Sequence, residues 1–148
     1  MRGLAFRNLD VSPDAPVEQW GFEGLLAAVD RGDLGDWRRV AAAVARAPRG
    51  EVAELLDQVF DAAEDSGGAA ALRRYVALAV ERQERLERQA VVDELVDSWR
   101  SSGLDQGTYA RRLGTSRTRL NSYLNGRTVP LATLLVRARG LAEARRGQ

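Results

Sequence analysis

No cysteine and no histidine occur among the 148 residues. Without cysteine there is neither a disulfide framework nor a thiolate nucleophile, and without histidine the commonest metal ligand and the usual general base near neutral pH are missing. Lysine is absent as well, so all 22 cations are arginine. Together with abundant Ala, Val, Gly and Leu, that usage fits a GC-rich genome. No apolar run approaches the roughly 18 residues needed to span a bilayer. The N-terminus lacks the basic-then-apolar pattern of a secretory signal, so the expected location is the cytoplasm. A phosphate-cradling loop is missing too, because Gly21, Gly24, Gly32 and Gly35 have the wrong spacing and no strand precedes them. The acids Asp57, Asp61, Glu64 and Asp65 run along one helix at solvent-facing spacing rather than converging. No catalytic, metal-binding or cofactor-binding residue is therefore assigned, and the chain is expected not to be an enzyme.

What is present is a helical pattern with an uneven charge. Hydrophobic residues make up 45% of the chain, enough for one compact domain or two small ones. Residues 1–88 hold 12 arginines against 16 acids, a balance of −4, whereas residues 89–148 hold 10 against 5, a balance of +5. Such a contrast suggests that the second part meets a polyanion. Arginine suits that task, because its planar fork matches phosphates and guanine edges.

Apolar residues recur at helical spacing almost throughout, which predicts an all-α fold. Phe22, Leu25, Leu26 and Val29 form one stripe after Pro13 and Pro16, with Gly32 as its stop. Trp37, Val40, Ala41 and Val44 form a second before Pro48 to Gly50. A third comprises Val52, Leu55, Leu56, Val59, Phe60 and Ala63, and ends before Ser66 to Gly68. Only Leu4 to Val11 shows a short alternation that would suit a strand. From Ala69 to Ser101 neither Gly nor Pro interrupts the chain. Leu72, Tyr75, Val76 and Ala79 begin a stripe that Val92, Leu95, Val96 and Trp99 resume. The polar stretch 81–89 between them fits a solvated connector helix or a short dimerising coiled coil, and whether residues 69–101 form one helix stays open.

The densest information lies in residues 104–130. Asp105 can cap a helix whose buried face carries Tyr109 and Leu113, and Gly114 supplies its break. Ser116 can cap a second helix on which Leu120, Tyr123 and Leu124 face inward. That leaves Arg117, Thr118, Asn121 and Ser122 directed elsewhere. Ala110 is small where the two helices must cross.

Gln106, Tyr109, Ala110, Leu113, Gly114, Ser116, Leu120, Tyr123 and Gly126 fall in the order and spacing of the lambda-repressor-like (XRE) helix-turn-helix family, which this segment resembles over about residues 89–143. Pro130 falls where that family often has a proline. Gly107, in the first of the two helices, and Leu124, where a polar residue is more frequent, depart from its pattern. The resemblance implies a C-terminal lambda-repressor-like helix-turn-helix domain, and with the apolar stripes before it the expected fold is an N-terminal helical bundle joined to that domain by a long helix. It also implies sequence-specific binding of double-stranded DNA by a transcriptional regulator, expected to repress. Helix 116–124 would enter the major groove, with Arg117, Thr118, Asn121 and Ser122 reading bases. Gln106, Ser116, Asn125 and Arg127 would hold phosphates. Arg111, Arg112, Arg119, Arg137 and Arg139 would add nonspecific attraction.

The expected domains are thus 1–88, for dimerisation or partner binding, and 89–148, for DNA. A homodimer would supply the two-fold symmetry that two half-sites need. An alternative role is that of an antitoxin that binds a toxin through residues 1–88 and autoregulates its operon. No cofactor and no membrane partner is expected.

Overall fold

The computed structural model describes residues 3–6, 9–63 and 66–148. Among them the regular structure is entirely helical: seven α-helices, preceded by a short 3-10 turn at Val17–Gln19. Contacts divide the chain into two compact units, Met1–Glu84 and Arg85–Gln148. Among the described residues no helix is long and apolar enough to cross a membrane.

The first unit is built from α1 (Gly21–Arg31), α2 (Leu34–Arg46), α3 (Glu51–Ala62) and the start of α4 (Gly67–Ser102). Each of the three apolar stripes forms one helix; α1 stops at Gly32 and α2 before Pro48, whereas α3 ends at Ala62, ahead of Ser66, and Gly67 and Gly68 open α4. Asp33 starts α2 with a reciprocal cap: its Oδ1 accepts from the Asp36 amide at 3.0 Å, and the Asp33 amide donates to Asp36 Oδ2 at 3.0 Å. Helix α1 packs most closely along α3. Leu25, Leu56, Val59 and Leu72 lie fully inside the core between them, each contributing about 1.5–3 kcal/mol by leaving water. Arg39 ties the chain before α1 to this core. It stacks over the Trp20 ring at 4.8 Å and donates to the carbonyls of Pro13 at 2.6 Å and Ala15 at 2.8 Å.

One detail differs from the sequence pattern. The alternation at Leu4 to Val11 does not make a strand in the described residues, and Arg7 and Asn8 lie outside them. Among the described residues there is no second strand to share a ladder. Leu4, Phe6 and Val11 instead lean on the helical core, with the Phe6 ring meeting Trp20 edge-on at 5.4 Å. Of the acidic row, Asp57 and Asp61 are exposed on α3, and Glu64 and Asp65 lie outside the described residues.

Helix α4 is continuous for 36 residues. Ser66 Oγ accepts from the Ala69 amide at 3.1 Å at its start. The polar middle carries no breaker, and Gln89 donates to Asp93 one turn on at 2.8 Å. The first helical segment within the stretch that carries the resemblance is therefore the end of a longer helix. Ala69, Leu72 and Val76 serve the first core, whereas Leu95 is fully buried in the second.

In the second unit the end of α4 packs with α5 (Gln106–Leu113), α6 (Arg117–Leu124) and α7 (Ala132–Arg146). Helix α7 runs through Gly140 without a break. Tyr109, Ala110, Leu113, Leu120, Leu134 and Ala138 form the core with Leu95. Ser98, buried on α4, donates to the Ala138 carbonyl at 2.8 Å and so ties α4 to α7.

Candidate nucleic-acid interface

Local chemistry shapes the α5–α6 pair. At the start of α5, Asp105 accepts from the Thr108 amide at 3.0 Å and from the Thr108 hydroxyl at 2.8 Å. Those two bonds, the amide's first, hold the Asp105 carboxyl below its usual range. The first amides of α5 thus already face a carboxylate, and its negative charge opposes a phosphate beside Gln106. Helix α6 begins differently. Its cap is the neutral Ser116, whose Oγ accepts from the Arg119 amide at 3.1 Å, so the positive end of the helix dipole is not cancelled by a side-chain charge.

Both helices end on a left-handed glycine. Gly114 has φ 77° and Gly126 φ 70°, a conformation that side chains other than glycine resist. Behind each, the chain doubles back. The Thr115 amide bonds to the Ala110 carbonyl at 3.0 Å, and the Arg127 amide bonds to the Ser122 carbonyl at 3.0 Å. Beside the first turn, Arg137 of α7 donates to the Leu113 carbonyl at 3.0 Å.

Facing the core, Leu120 is fully buried and Tyr123 and Leu124 are half-buried. On the other side Arg117, Thr118 and Asn121 are exposed. At 3.6 residues per turn these three lie within about 100° of helix circumference, so one flat surface can meet all of them. Arg117 and Thr118 hold no hydrogen-bond partner among the described residues. Ser122 is half-buried, and its hydroxyl pairs with that of Thr128 at 2.8 Å. It therefore props the loop after α6. Asn125 donates through Nδ2 to both the backbone carbonyl of Asn121, at 2.9 Å, and its side-chain Oδ1, at 3.0 Å.

The four residues given phosphate roles differ in the same way. Arg127 is exposed in the loop after α6, with no ion-pair or hydrogen-bond partner for its side chain among the described residues. Ser116 is engaged as a cap, Gln106 is half-buried at the first position of α5, and Asn125 holds Asn121. Of the arginines expected to add attraction, Arg112 and Arg119 are exposed and Arg111 donates to the Thr108 hydroxyl at 3.2 Å. Arg137 and Arg139 are committed inside the unit. Arg139 grips Glu94 with two nitrogens, and its guanidinium lowers the Glu94 carboxyl.

Compared with known protein families, curated proteins and solved structures, the chain matches none. The functional reading therefore stands on the charge and geometry of these residues. From Gln106 to Ala142 there are seven arginines and no acid. A groove or face with that composition attracts polyanions at a distance of about one Debye length, roughly 8–10 Å in moderate salt.

Sequence reasoning missed three things here. The Arg137 bond joins residues 24 apart, and nothing local announces it. The Ser122–Thr128 pair depends on the reversal at Gly126. The Asn121–Asn125 contact was within reach, since amide side chains four apart on a helix are neighbours.

Proposed function

We propose that the second unit binds double-stranded DNA with α6 in the major groove, and that the protein regulates transcription by occupying an operator. In this reading the unit is a lambda-repressor-like helix-turn-helix, with α5 and α6 as its two central helices. The observation that carries it is the exposed Arg117, Thr118 and Asn121 surface of α6, standing in a 37-residue stretch with seven arginines and no acid. Arginine and asparagine are side chains that pair with base edges in two places at once. Arg127, Arg119 and Arg112 flank that surface in sequence and supply phosphate contacts that position the duplex. Repression follows from occupancy alone, with no catalytic step.

A homodimer fits the reading, since two copies of α6 would meet two half-sites about one helical turn apart. The first unit, a separate bundle with its own core, is the natural place for self-association or for a protein partner. The deciding experiment is selection of bound sequences from a random double-stranded DNA pool with the full chain at a stated salt concentration. Enrichment of a two-fold site supports an operator-binding dimer. Weak binding without sequence preference overturns the reading and moves function to a protein-binding surface.

A further inference from the structure

We infer that Asn125 is a positioning residue that fixes which way round the Asn121 amide faces, and that Asn121 consequently reads guanine in preference to adenine. This rests on the DNA-binding reading above. Backbone carbonyl oxygen can only accept. Because the Asn125 amide approaches the Asn121 carbonyl at 2.9 Å, the atom it places there is its nitrogen, Nδ2. The same Nδ2 lies 3.0 Å from the end of the Asn121 side chain. A donor must face an acceptor, so that end of Asn121 is Oδ1, and the orientation of its amide follows without reference to any further group.

The consequence is chemical. An unconstrained asparagine pairs with adenine through both ends of its amide: Oδ1 accepts from N6 while Nδ2 donates to N7. Here Oδ1 is turned along the helix toward Asn125, and Nδ2 has no partner among the described residues. Asn121 therefore turns its donors outward, while Oδ1, which keeps one lone pair, points along the helix. Guanine presents two acceptors in the major groove, O6 and N7, whereas adenine places an amino group beside N7 and cytosine shows an amino group alone. With its amide N–H groups turned outward and Oδ1 turned away, Asn121 meets the two acceptors of guanine best and meets the adenine amino group poorly.

The test is sequence selection by the full chain in three forms: wild type, Asn125→Ala and Asn125→Asp. Far-ultraviolet circular dichroism and a melting curve check that each variant folds. Wild type is expected to enrich guanine at one half-site position, by about tenfold over adenine. Asn121→Ala identifies that position by losing preference there alone. Asn125→Ala frees the amide to turn, and the position shifts toward adenine. Asn125→Asp replaces the donor by an acceptor, draws Nδ2 inward and turns Oδ1 out, so bases with an amino group are favoured there even as overall affinity falls. A residue acting only as a helix cap would weaken binding to all sequences without changing one position. Should the wild type enrich a site that both Asn125 variants leave unchanged, this inference alone is overturned. Absence of any enriched site for the wild type overturns it together with the DNA-binding reading.

Discussion

Arg137 of α7 donates to the carbonyl of Leu113, the last residue of α5, at 3.0 Å, and the same guanidinium would have to shift for a side chain on Gly114. A Cβ at Gly114 would stand 2.9 Å from Arg137 Nη1, on a backbone already at φ 77°. Two separate demands for glycine thus meet at one residue, and both set the angle at which α6 leaves α5. Gly114→Ala is expected to destabilise the second unit by about 2 kcal/mol, half from the left-handed backbone and half from displacing Arg137. In an Arg137→Ala background the second part is already lost. The two changes should then be non-additive by about 1 kcal/mol in a denaturant double-mutant cycle, and simple additivity would show that Arg137 does not touch the turn.

Tyr109 makes the opposite kind of prediction. It is fully buried, and its hydroxyl meets no hydrogen-bond partner at bonding geometry among the described residues. Burial raises the phenol above its ordinary range, and the neighbouring Ser98 hydroxyl offsets only part of that rise. A buried hydroxyl without a partner carries a desolvation cost of about 1–3 kcal/mol. Tyr109→Phe should leave thermal stability unchanged or raise it. A fall of more than about 1 kcal/mol on that substitution would mean the hydroxyl is bonded in solution.

Acid should act on the start of α5. The folded carboxyl of Asp105 lies below its ordinary value because the Thr108 amide and hydroxyl bond to its ionised form. A lowered folded value means that the stabilisation is complete above the ordinary carboxyl range and is lost as pH falls through the folded value. Glu94, lowered by Arg139, works in the same direction. Stability of the full chain should therefore decline below about pH 4. Asp105→Asn keeps an acceptor for the amide but removes the titration, so its curve should be flatter at the acid end. Equal slopes for the two proteins would exclude Asp105 as a contributor.

These three sites mark how far the residues alone carry the structure. The caps at Asp105 and Ser116 and the turn at Gly114 follow from chemistry within four residues, and each lies where its residue type demands. The helical stripes were equally legible, since burial of one face follows directly from spacing. The continuity of α4 was not, because the absence of breakers permits a long helix without requiring one. Alternation at Leu4 to Val11 suggested a strand, yet apolar residues there can rest on a helical core without one, as Phe6 does on Trp20. At the candidate interface, side-chain type placed Arg117 and Thr118 on the exposed surface but could not separate Asn121, which is exposed although Asn125 holds its Oδ1, from Ser122, which is half-buried and tied to Thr128. That distinction depends on a loop reversal six residues long. Arg137 and Arg139 read as surface charge until their partners on α5 and α4 are seen.

Under the proposed function, Arg117 and Arg127 should fail in different ways. Both are exposed arginines, but Arg117 opens α6 and Arg127 lies beyond its end in the loop closed by Gly126. A guanidinium at the start of a helix lying in the major groove reaches O6 and N7 of one guanine, and the pair discriminates by about 1–3 kcal/mol. Arg117→Ala should therefore flatten preference at a single position and leave nonspecific affinity nearly intact. A loop guanidinium on a phosphate carries no base information and releases about one counterion on binding. Arg127→Ala should weaken binding to every sequence alike and reduce the slope of log affinity against log salt by about 1. Both variants are to be titrated against the selected site and a scrambled duplex at several salt concentrations. Equal losses on both duplexes for both variants would mean that Arg117 only neutralises phosphate, and base reading would then rest on Thr118 and Asn121.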